Sequence, residues 1–498
     1  MGRRMIGRIA DGATETSARL ILLKDLEKEI TAEELVLVYN GGEAKPTNLI
    51  LGVIREGLGK NEFLSYTSYK PDVAYMRHGG EPSGSREVYS FTFKPIGMIT
   101  DDGIEPNRTI IQPRSPVYMI DDSENPLEWL VKGREVTWLN AHLDRHPSWR
   151  VPVDIEFIPY HVGVYGSTGS GKSWLTRNVL IPAYVEAGYR CIVLDWSGTD
   201  YAPYYGGRRG CEVVGIEEIA LDADTIIYYL QDKAKSLVKN DNVKDAFEEY
   251  VDAWPSKVEE KLRSSQGDKE AAAEQILEEL KEYVNSRINN IGRADYRASA
   301  ERVARRVFRH LKAEDILPLL GIKKIDELMR KAEENEVTIL DMGGAIAEAK
   351  LSLFHSLSKI VYRKMERGQD VNIALIIDEA PQYAPWDPRG IQAETSTMIK
   401  NLAALGRKKK LNLTLISQGI RGEIGINAAV RRNLNTHFFG RIHPLDAAGE
   451  GGASDWLSPY GVRTDQLLLL KPGHFYFSGV MNPSPIPLLI TFKPEEEL

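Results

Sequence analysis

Short apolar runs separated by polar turns occupy the first 150 residues. Gly, Pro, Asn and Asp separate runs that are rich in β-branched and aromatic residues: ARLILL, ELVLVYN, NLILGVI, EVYSFTFKPIGMI and PVYMI. Runs of this length and spacing are typical of a small barrel or sandwich. They carry no visible catalytic constellation. We therefore predict that residues 1–150 form an N-terminal β-barrel with a docking or assembly role.

From residue 151 the pattern becomes that of an α/β sheet. HVGVY is an apolar strand that runs into a glycine-rich loop, and KSWLTRNVLIPAYVEAG predicts a helix that ends at Gly188. RCIVLD is a second buried strand and ends at Asp195. This order of strand, loop, helix and strand predicts the first part of a parallel sheet over residues 151–225.

Residues 226–335 are charged and favour helices. Their apolar residues fall on helical stripes, as at Ile276, Leu277, Leu280 and Val284. We predict an inserted bundle of three or four helices, with SSQGDK as an exposed turn. The many charges are best explained as a solvated bundle face, and a specific role for them is the less favoured interpretation. Strands resume over residues 336–498 in VTILDMG, NIALIIDEA, LNLTLISQ and THFFGRI, followed by a closing hairpin.

A phosphate-binding motif follows the HVGVY strand. Its letters GSTGSGKS fit the pattern G-x-x-x-x-G-K-[ST], in which backbone N–H groups surround phosphate oxygens. Lys172 can reach the β- and γ-phosphates of ATP, and Ser173 can bind Mg²⁺. Trp174 either packs under the loop or contacts the adenine. The predicted nucleotide-binding residues are Gly166, Ser167, Thr168, Gly169, Ser170, Gly171, Lys172, Ser173 and Trp174.

The second half of a hydrolytic site is indicated by NIALIIDEA. Asp378 ends a buried strand, where a carboxylate can hold Mg²⁺. Glu379 is placed to orient and deprotonate the attacking water. Asp378 lies 206 positions after Lys172. The helical insertion accounts for this separation, so both motifs can belong to one ATPase core.

Further polar residues are candidates for the same chemistry. Gln418 ends the strand LNLTLIS and could sense the γ-phosphate or merely cap the strand. Arg407 could reach the nucleotide of a neighbouring subunit, with Arg431, Arg432 and Arg441 as weaker candidates. Asp195 either supports the metal and water network or caps its loop.

Basic loops are the candidate DNA contacts. Arg208 and Arg209 lie in the glycine-rich loop YYGGRRG, and Arg389 lies in WDPRG. Guanidinium groups beside aromatic rings suit nucleic-acid phosphates, although plain exposed turns explain these loops about as well.

Composition and charge limit the kinds of partner and the cellular location that the sequence allows. The net charge of −8 excludes attraction to nucleic acid over the whole surface and leaves local basic regions. Two cysteines are too few for a disulfide framework, and no run of about 18 apolar residues predicts a membrane span. We expect a cytoplasmic protein.

Taken together, the barrel, GSTGSGKS, DWSG, the helical insertion, LIIDEAP, GRKKKLNLTLISQ and FFGRI resemble the HerA branch of the HerA/FtsK superfamily of hexameric DNA-pumping ATPases. Archaeal HerA proteins are the nearest suggestion. The chain departs from the family pattern in DWSGTDY, which has one residue more than D-x-x-G-E-Y, and in SQGIRG, which replaces SQRP.

This resemblance implies an α/β fold: a RecA-like P-loop ATPase core with an inserted helical bundle and an N-terminal small β-barrel. It implies a homohexamer that hydrolyses ATP with Mg²⁺ and translocates along or unwinds double-stranded DNA. A NurA-type nuclease would be its partner in DNA end processing and repair. By the same resemblance Glu379 is the catalytic glutamate, Gln418 the sensor and Arg407 the arginine acting in trans.

Two other functions stay open from the sequence. One is a soluble coupling ATPase of a DNA or protein export system, which would require an adaptor or membrane-protein partner. The other is a nucleotide-regulated scaffold that hydrolyses slowly, against which Glu379 argues.

Overall fold

An N-terminal barrel is built from strands that pair antiparallel around a closed circle. The computed structural model describes residues 3–43, 46–65, 70–82 and 86–493. The strands of this first sheet are β1 (Met5–Ile9), β2 (Ala18–Leu22), β3 (Leu35–Asn40), β4 (Asn48–Asn61), β5 (Glu87–Thr100), β6 (Gly103–Glu105) and β7 (Pro116–Met119). They follow the order β2-β1-β7-β3-β4-β5, and β5 pairs back to β2, so the six strands leave no open edge. The predicted barrel is confirmed.

The next two strands belong to a different sheet. They are β8 (Val136–Leu143) and β9 (His146–Asp154), and β8 pairs with the C-terminal strand through Leu143 and Ile490. Hydrogen bonding therefore changes from barrel to central sheet between Met119 and Val136. The boundary predicted at residue 150 falls inside β9 instead.

The central sheet has eleven strands. The remaining ones are β10 (Val162–Tyr165), β11 (Arg190–Asp195), β12 (Cys211–Gly215), β13 (Val337–Asp341), β14 (Ile373–Ile377), β15 (Leu411–Ser417), β16 (Thr436–Phe439), β17 (His474–Gly479) and β18 (Leu488–Thr491). Their order is β12-β13-β11-β14-β15-β10-β16-β17-β18-β8-β9. Pairing is parallel from β12 to β16 and antiparallel from β16 onwards. The predicted α/β fold with a closing hairpin is thus present, and all carboxyl ends of the parallel strands share one edge.

Helices cover both faces of this sheet. The α-helices of the described chain are α1 (Pro71–Arg77), α2 (Leu127–Leu130), α3 (Lys172–Leu175), α4 (Ile181–Glu186), α5 (Ala202–Tyr205), α6 (Ala223–Lys233), α7 (Asp241–Asp252), α8 (Trp254–Ser264), α9 (Lys269–Asn289), α10 (Ala294–His310), α11 (Ala313–Ile316), α12 (Ile325–Glu334), α13 (Ala347–Glu366), α14 (Ala380–Tyr383), α15 (Ile391–Gly406), α16 (Ala428–Arg431), α17 (Pro444–Ala447), α18 (Ser454–Leu457) and α19 (Thr464–Leu468). A π-helical stretch, Thr176–Leu180, joins α3 to α4 into one helix that ends before Gly188, as predicted.

The helical insertion is larger than predicted. Instead of three or four helices, α6 to α12 lie between β12 and β13 in the sequence, and these two strands are neighbours at one end of the sheet. One predicted helix is divided into α7 and α8 because Pro255 has no N–H for a helical hydrogen bond and begins a new helix. The predicted stripe from Ile276 to Val284 is buried in the bundle. The SSQGDK turn lies between α8 and α9, where Asp268 caps α9.

A buried ion pair joins the barrel to the central domain. Arg55 is fully buried, and its guanidinium donates to both oxygens of Glu33, with the Nη2–Oε2 bond at 2.8 Å. It also donates to the carbonyls of Tyr460, at 2.7 Å, and Pro487, at 2.6 Å. The hydroxyl of Tyr476 donates to Glu33 as well. One barrel arginine therefore satisfies backbone acceptors in two segments of the other domain.

A second joint is made by His146, in the β8–β9 hairpin. Its Nδ1 lies 2.6 Å from Oδ1 of Asp122, and its Nε2 lies 2.6 Å from Oε2 of Glu34 at the edge of the barrel. The ring stacks on Trp149 at 3.8 Å. Burial lowers the pKa of His146, but the hydrogen bonds to Glu34 and Asp122 outweigh it and raise the pKa above its ordinary value. A protonated ring can donate to both carboxylates at once, so this arrangement favours the imidazolium form.

Candidate active site

The phosphate loop connects the end of β10 to the start of α3. Gly169 and Gly171 have φ values of 75° and 96°, which favour glycine. A Cβ on Gly171 would also lie 3.1 Å from the backbone nitrogen of Gly473. Ser167 donates through its backbone N–H and its hydroxyl to the carbonyl of Arg441, at 2.7 and 3.0 Å. The loop is thus fixed in shape by segments that follow β16 and precede β17.

Lys172 lies within this loop, half-buried. Its ammonium donates to the carbonyls of Gly166, at 2.9 Å, and Ser167, at 3.3 Å. Burial lowers the pKa of Lys172, while the carboxylates of Asp378 and Glu379 favour its charged form. Lys172 and Ser173 stand at the N-terminus of the helix, where the free N–H groups and the helix dipole favour an anion.

The strand-end carboxylates lie beside the loop. Asp378 is buried, and burial together with the charges of Glu379 and Asp200 raises its pKa to about 8. Glu379 follows with φ 47°, a left-handed backbone that is rare outside glycine and concentrated at functional sites. Several carboxylates at one buried position are stabilised by a divalent cation, so the donor set fits Mg²⁺.

Strand β15 lies between β10 and β14 and supplies the connection between the two motifs. The amide of Gln418 donates to Oε1 of Glu379 at 2.6 Å. The hydroxyl of Thr168 in the phosphate loop donates to Oε1 of Gln418 at 3.1 Å. The three side chains form one hydrogen-bonded chain from the phosphate loop to the strand-end glutamate. The structure therefore brings Thr168, Gln418 and Glu379 together, and the charge of Glu379 also acts on Lys172.

Asp195 takes the capping role of its two predicted alternatives. It is fully buried, and its Oδ2 accepts from the backbone N–H groups of Tyr201, at 2.9 Å, and Ala202, at 3.0 Å. Its Oδ1 accepts from Gly198. Both oxygens are occupied in holding the DWSGTDY loop. That loop brings Asp200 close enough for its charge to act on Asp378, a residue whose role sequence reasoning left open because of the extra loop position.

Arg407 lies on the opposite edge of the sheet. It precedes β15, whereas the phosphate loop follows the carboxyl end of β10, and the two strands are parallel. Its guanidinium stacks 3.9 Å from the ring of Tyr160 and donates to the Tyr160 hydroxyl at 2.6 Å. Arg407 is exposed. It cannot reach the phosphate loop of its own chain, which leaves a role in trans as the one compatible with the prediction.

The weaker arginine candidates have different surroundings. Arg431 is buried and donates to the carbonyls of Ile420 and Gly451, so its guanidinium is already used within the fold. Arg441 gives its carbonyl to the phosphate loop. Arg432 is exposed on the surface.

The three candidate DNA contacts do not share a surface. Arg208 and Arg209 lie just before β12, near the amino edge of the sheet, and Arg208 stacks on Tyr204 at 3.8 Å. Arg389 follows β14 at the carboxyl edge, where it pairs with Asp387. Sequence alone could not show this, because the placement depends on strand direction and order.

Trp174 is 45% exposed. This exposure shows that the side chain is not enclosed beneath the phosphate loop, and contact with the adenine stays a prediction.

Two further observations concern metal binding and membrane spans. Within the ranges that the structure describes, no group of three or more His, Cys, Asp or Glu side chains could hold a metal on its own. A magnesium ion held by Ser173, Asp378 and nucleotide oxygens needs no such group. None of the described helices combines the length and apolar character that a membrane span requires.

Comparison with known proteins finds a family match for the central part of the chain. Residues 141–361 match the family model described as helicase HerA, central domain. The sequence matches none of the curated proteins. Solved structures with a similar course include the bacterial conjugative coupling protein TrwB (15% identity, 69% of this chain and 87% of that chain, TM-score 0.43). VirB4 of Thermoanaerobacter pseudethanolicus has 16% identity over 72% of this chain and 96% of that chain, with TM-score 0.47.

The genome packaging NTPase B204 from Sulfolobus turreted icosahedral virus 2, in complex with sulfate, has 12% identity over 68% of this chain and 97% of that chain, with TM-score 0.31. Because these TM-scores are below 0.5, the similarity to the HerA family is argued from the family match and from the phosphate loop, and not from the solved structures. The resemblance to the HerA branch is confirmed. Residues 141–361 are thus similar to the central domain of helicase HerA, and the phosphate loop lies within the matched range.

Proposed function

We propose that this protein hydrolyses ATP to translocate along or unwind duplex DNA as a homohexameric ring in the cytoplasm. A NurA-type nuclease would be its partner in DNA end processing and repair. The observation that supports hydrolysis best is the hydrogen-bonded chain Thr168–Gln418–Glu379, because it joins the phosphate-binding loop, which lies in the range that matches the HerA central domain, to a candidate base.

The residues divide the chemistry of hydrolysis among them. Backbone N–H groups of the loop surround the phosphates, and Lys172 neutralises the β- and γ-oxygens. Ser173 and Asp378 would hold Mg²⁺, which offsets phosphate charge and orients the triphosphate when bound. Glu379 accepts a proton from the attacking water. Gln418 fixes the position of the Glu379 carboxylate and reports to it whether the loop is occupied, through Thr168.

A ring is supported by the two edges of the sheet. The nucleotide site lies at the carboxyl edge, and Arg407 lies exposed at the amino edge. Head-to-tail packing of subunits would bring Arg407 of one copy to the γ-phosphate of the next, where an arginine can stabilise transition-state charge.

Arg208, Arg209 and Arg389 are the proposed DNA contacts, and they lie at different edges of the subunit. Trp174 is the proposed base contact.

The decisive experiment measures ATP hydrolysis with and without duplex DNA. Wild type should be stimulated by DNA, and Glu379→Gln should bind ATP with unchanged affinity while hydrolysis falls by about 10²- to 10⁴-fold. Glu333→Gln, at an exposed position of α12, is the matched control and should behave as wild type. Hydrolysis that ignores duplex DNA, with no movement of the protein along DNA, would reject translocation. Hydrolysis that survives Glu379→Gln would reject the assigned base.

A further inference from the structure

A row of arginines occupies the outer face of α10, in the helical insertion. The helix buries Ala300, Val303, Ala304 and Val307 against the bundle. Arg302, Arg305, Arg306 and Arg309 recur at intervals of three and four, so they share the opposite face, and all four are exposed. We call these four residues the arginine face.

The charge of this segment runs against that of the whole chain. Residues 293–312 contain six arginines and one lysine but only two carboxylates, while the chain carries a net charge of −8. Among the described residues, Glu301 is the one carboxylate within 4.0 Å of the arginine face, at 3.9 Å from Arg305. Some other cations of the bundle are paired closely, as Lys257 and Lys261 are with Glu279. Like charges on adjacent turns destabilise a helix slightly, and an anionic partner bound along the row would offset this cost.

The composition of the row favours phosphate over an acidic protein. All four residues are arginines, whose planar guanidinium binds phosphate oxygens through two hydrogen bonds. Protein partners are usually held by apolar anchors near the centre of the interface. The exposed large apolar side chain of α10 is Tyr296, at the far end of the helix and under the guanidinium of Arg293.

The spacing of the row also suits a nucleic-acid backbone. From Arg302 to Arg309 the helix rises about 10 Å. One strand of duplex DNA advances about 3.4 Å per phosphate, so the row spans about three phosphates. We infer that the arginine face binds the phosphate backbone of nucleic acid, as a contact separate from the nucleotide site and from the basic loops already named. The choice of DNA as the nucleic acid rests on the proposed function.

The position of the arginine face in the fold suggests what a DNA contact there would do. The insertion joins the core at β12 and β13, at one end of the strand order of the central sheet, whereas the phosphate loop follows β10 in the middle of that order. The arginine face would retain DNA on the motor and contribute affinity without contributing to the basal ATPase.

The test compares the full-length triple variant Arg302→Ala, Arg306→Ala, Arg309→Ala with a matched control. Alanine preserves the helix, because it has the highest helix propensity. The control removes three exposed cations elsewhere in the insertion, in Arg263→Ala, Lys269→Ala, Arg330→Ala. Binding of a labelled duplex DNA is measured over a series of salt concentrations, together with ATP hydrolysis without DNA.

The triple variant should bind duplex DNA at least about tenfold more weakly at low salt, and the slope of log affinity against log salt should fall by about two to three. Its basal hydrolysis should match wild type, and the control should keep the wild-type slope. A triple variant with the wild-type slope overturns the inference, and if DNA still stimulates hydrolysis the proposed function stands. Wild type that neither binds nor responds to duplex DNA overturns both. Poly-glutamate that binds wild type more tightly than DNA, and loses this in the triple variant, would identify an acidic protein partner and also overturn the inference.

Discussion

The side-chain amide of Gln418 donates a 2.6 Å hydrogen bond to the carboxylate of Glu379, across the ends of two neighbouring strands. A hydrogen bond to a charged acceptor is worth more than one between neutral groups. The bond fixes the direction in which Glu379 presents its free oxygen. Its other end, at Thr168, is part of the phosphate loop.

Replacing Gln418 by Leu is expected to lower kcat for ATP hydrolysis by about 10- to 100-fold, because a bond to a charged group worth about 1.5–3 kcal/mol is lost. KM should change little, since the phosphates are held by the loop. Steady-state kinetics measure both values. Gln369→Leu, at an exposed glutamine, is the control. An unchanged kcat in Gln418→Leu would show that the hydrogen bond has no catalytic consequence.

Arg407 is expected to act on the nucleotide of the neighbouring subunit. Arg407→Ala and Lys172→Ala should each be nearly inactive, because one lacks the trans arginine and the other cannot hold the phosphates. Mixing the two variants should restore part of the activity, since an intact loop can then meet an intact Arg407 across a subunit boundary. The measurement is the rate of ATP hydrolysis at a series of mixing ratios. Mixtures that stay inactive, or full activity in Arg407→Ala alone, would contradict the arrangement.

Breaking the buried pair of Arg55 and Glu33, at the contact of the barrel with the central domain, should cost stability. Arg55→Leu leaves the Glu33 carboxylate, whose side chain is 8% exposed, without its partner, at a cost of about 3–5 kcal/mol in the free energy of unfolding. The double variant Glu33→Leu, Arg55→Leu should recover part of this loss because no unpaired charge is left buried. Urea unfolding measures the difference. Arg86→Leu, which breaks the exposed pair with Glu62, should change little.

The joint at His146 makes stability depend on pH. Because its folded-state pKa lies above the ordinary value, its contribution is complete at pH below about 6.5 and is lost as pH rises through the folded-state pKa. The midpoint of unfolding of wild type should therefore exceed that of His146→Gln most at low pH, with the difference shrinking at alkaline pH. The exposed His78→Gln serves as the control. A difference that grows with pH would show that the ring is neutral in the folded protein.

The sequence predicted those parts of the fold that local patterns encode. Apolar runs identified most barrel strands, the parallel strands other than β12, and the stripe from Ile276 to Val284, because burial acts on each run separately. Strand β1 was missed: its five residues include Gly7 and Arg8, which weaken the apolar signal. The glycine-rich loop and the Asp378–Glu379 pair were recognised because their backbone chemistry requires those residue types at that spacing.

Local sequence patterns did not predict which distant strands and side chains pair. Strands β8 and β9 alternate as barrel strands do, and only the contact of Leu143 with Ile490 assigns them to the central sheet. The hydrogen bond between Thr168 and Gln418 joins residues 250 positions apart. The role of Asp195 depended on the turn that follows it, which a sequence pattern does not specify.

The strand order also determines when the nucleotide site can form during synthesis. Val162 of β10 pairs with Thr414 and Thr436, about 250 and 270 positions later in the chain. The barrel pairs over much shorter separations and can fold while the ribosome is still making the insertion. The phosphate loop stays without its neighbouring strands until Thr436–Phe439 has left the ribosome. We therefore expect ATP to stabilise only those chains in which β16 has already been made.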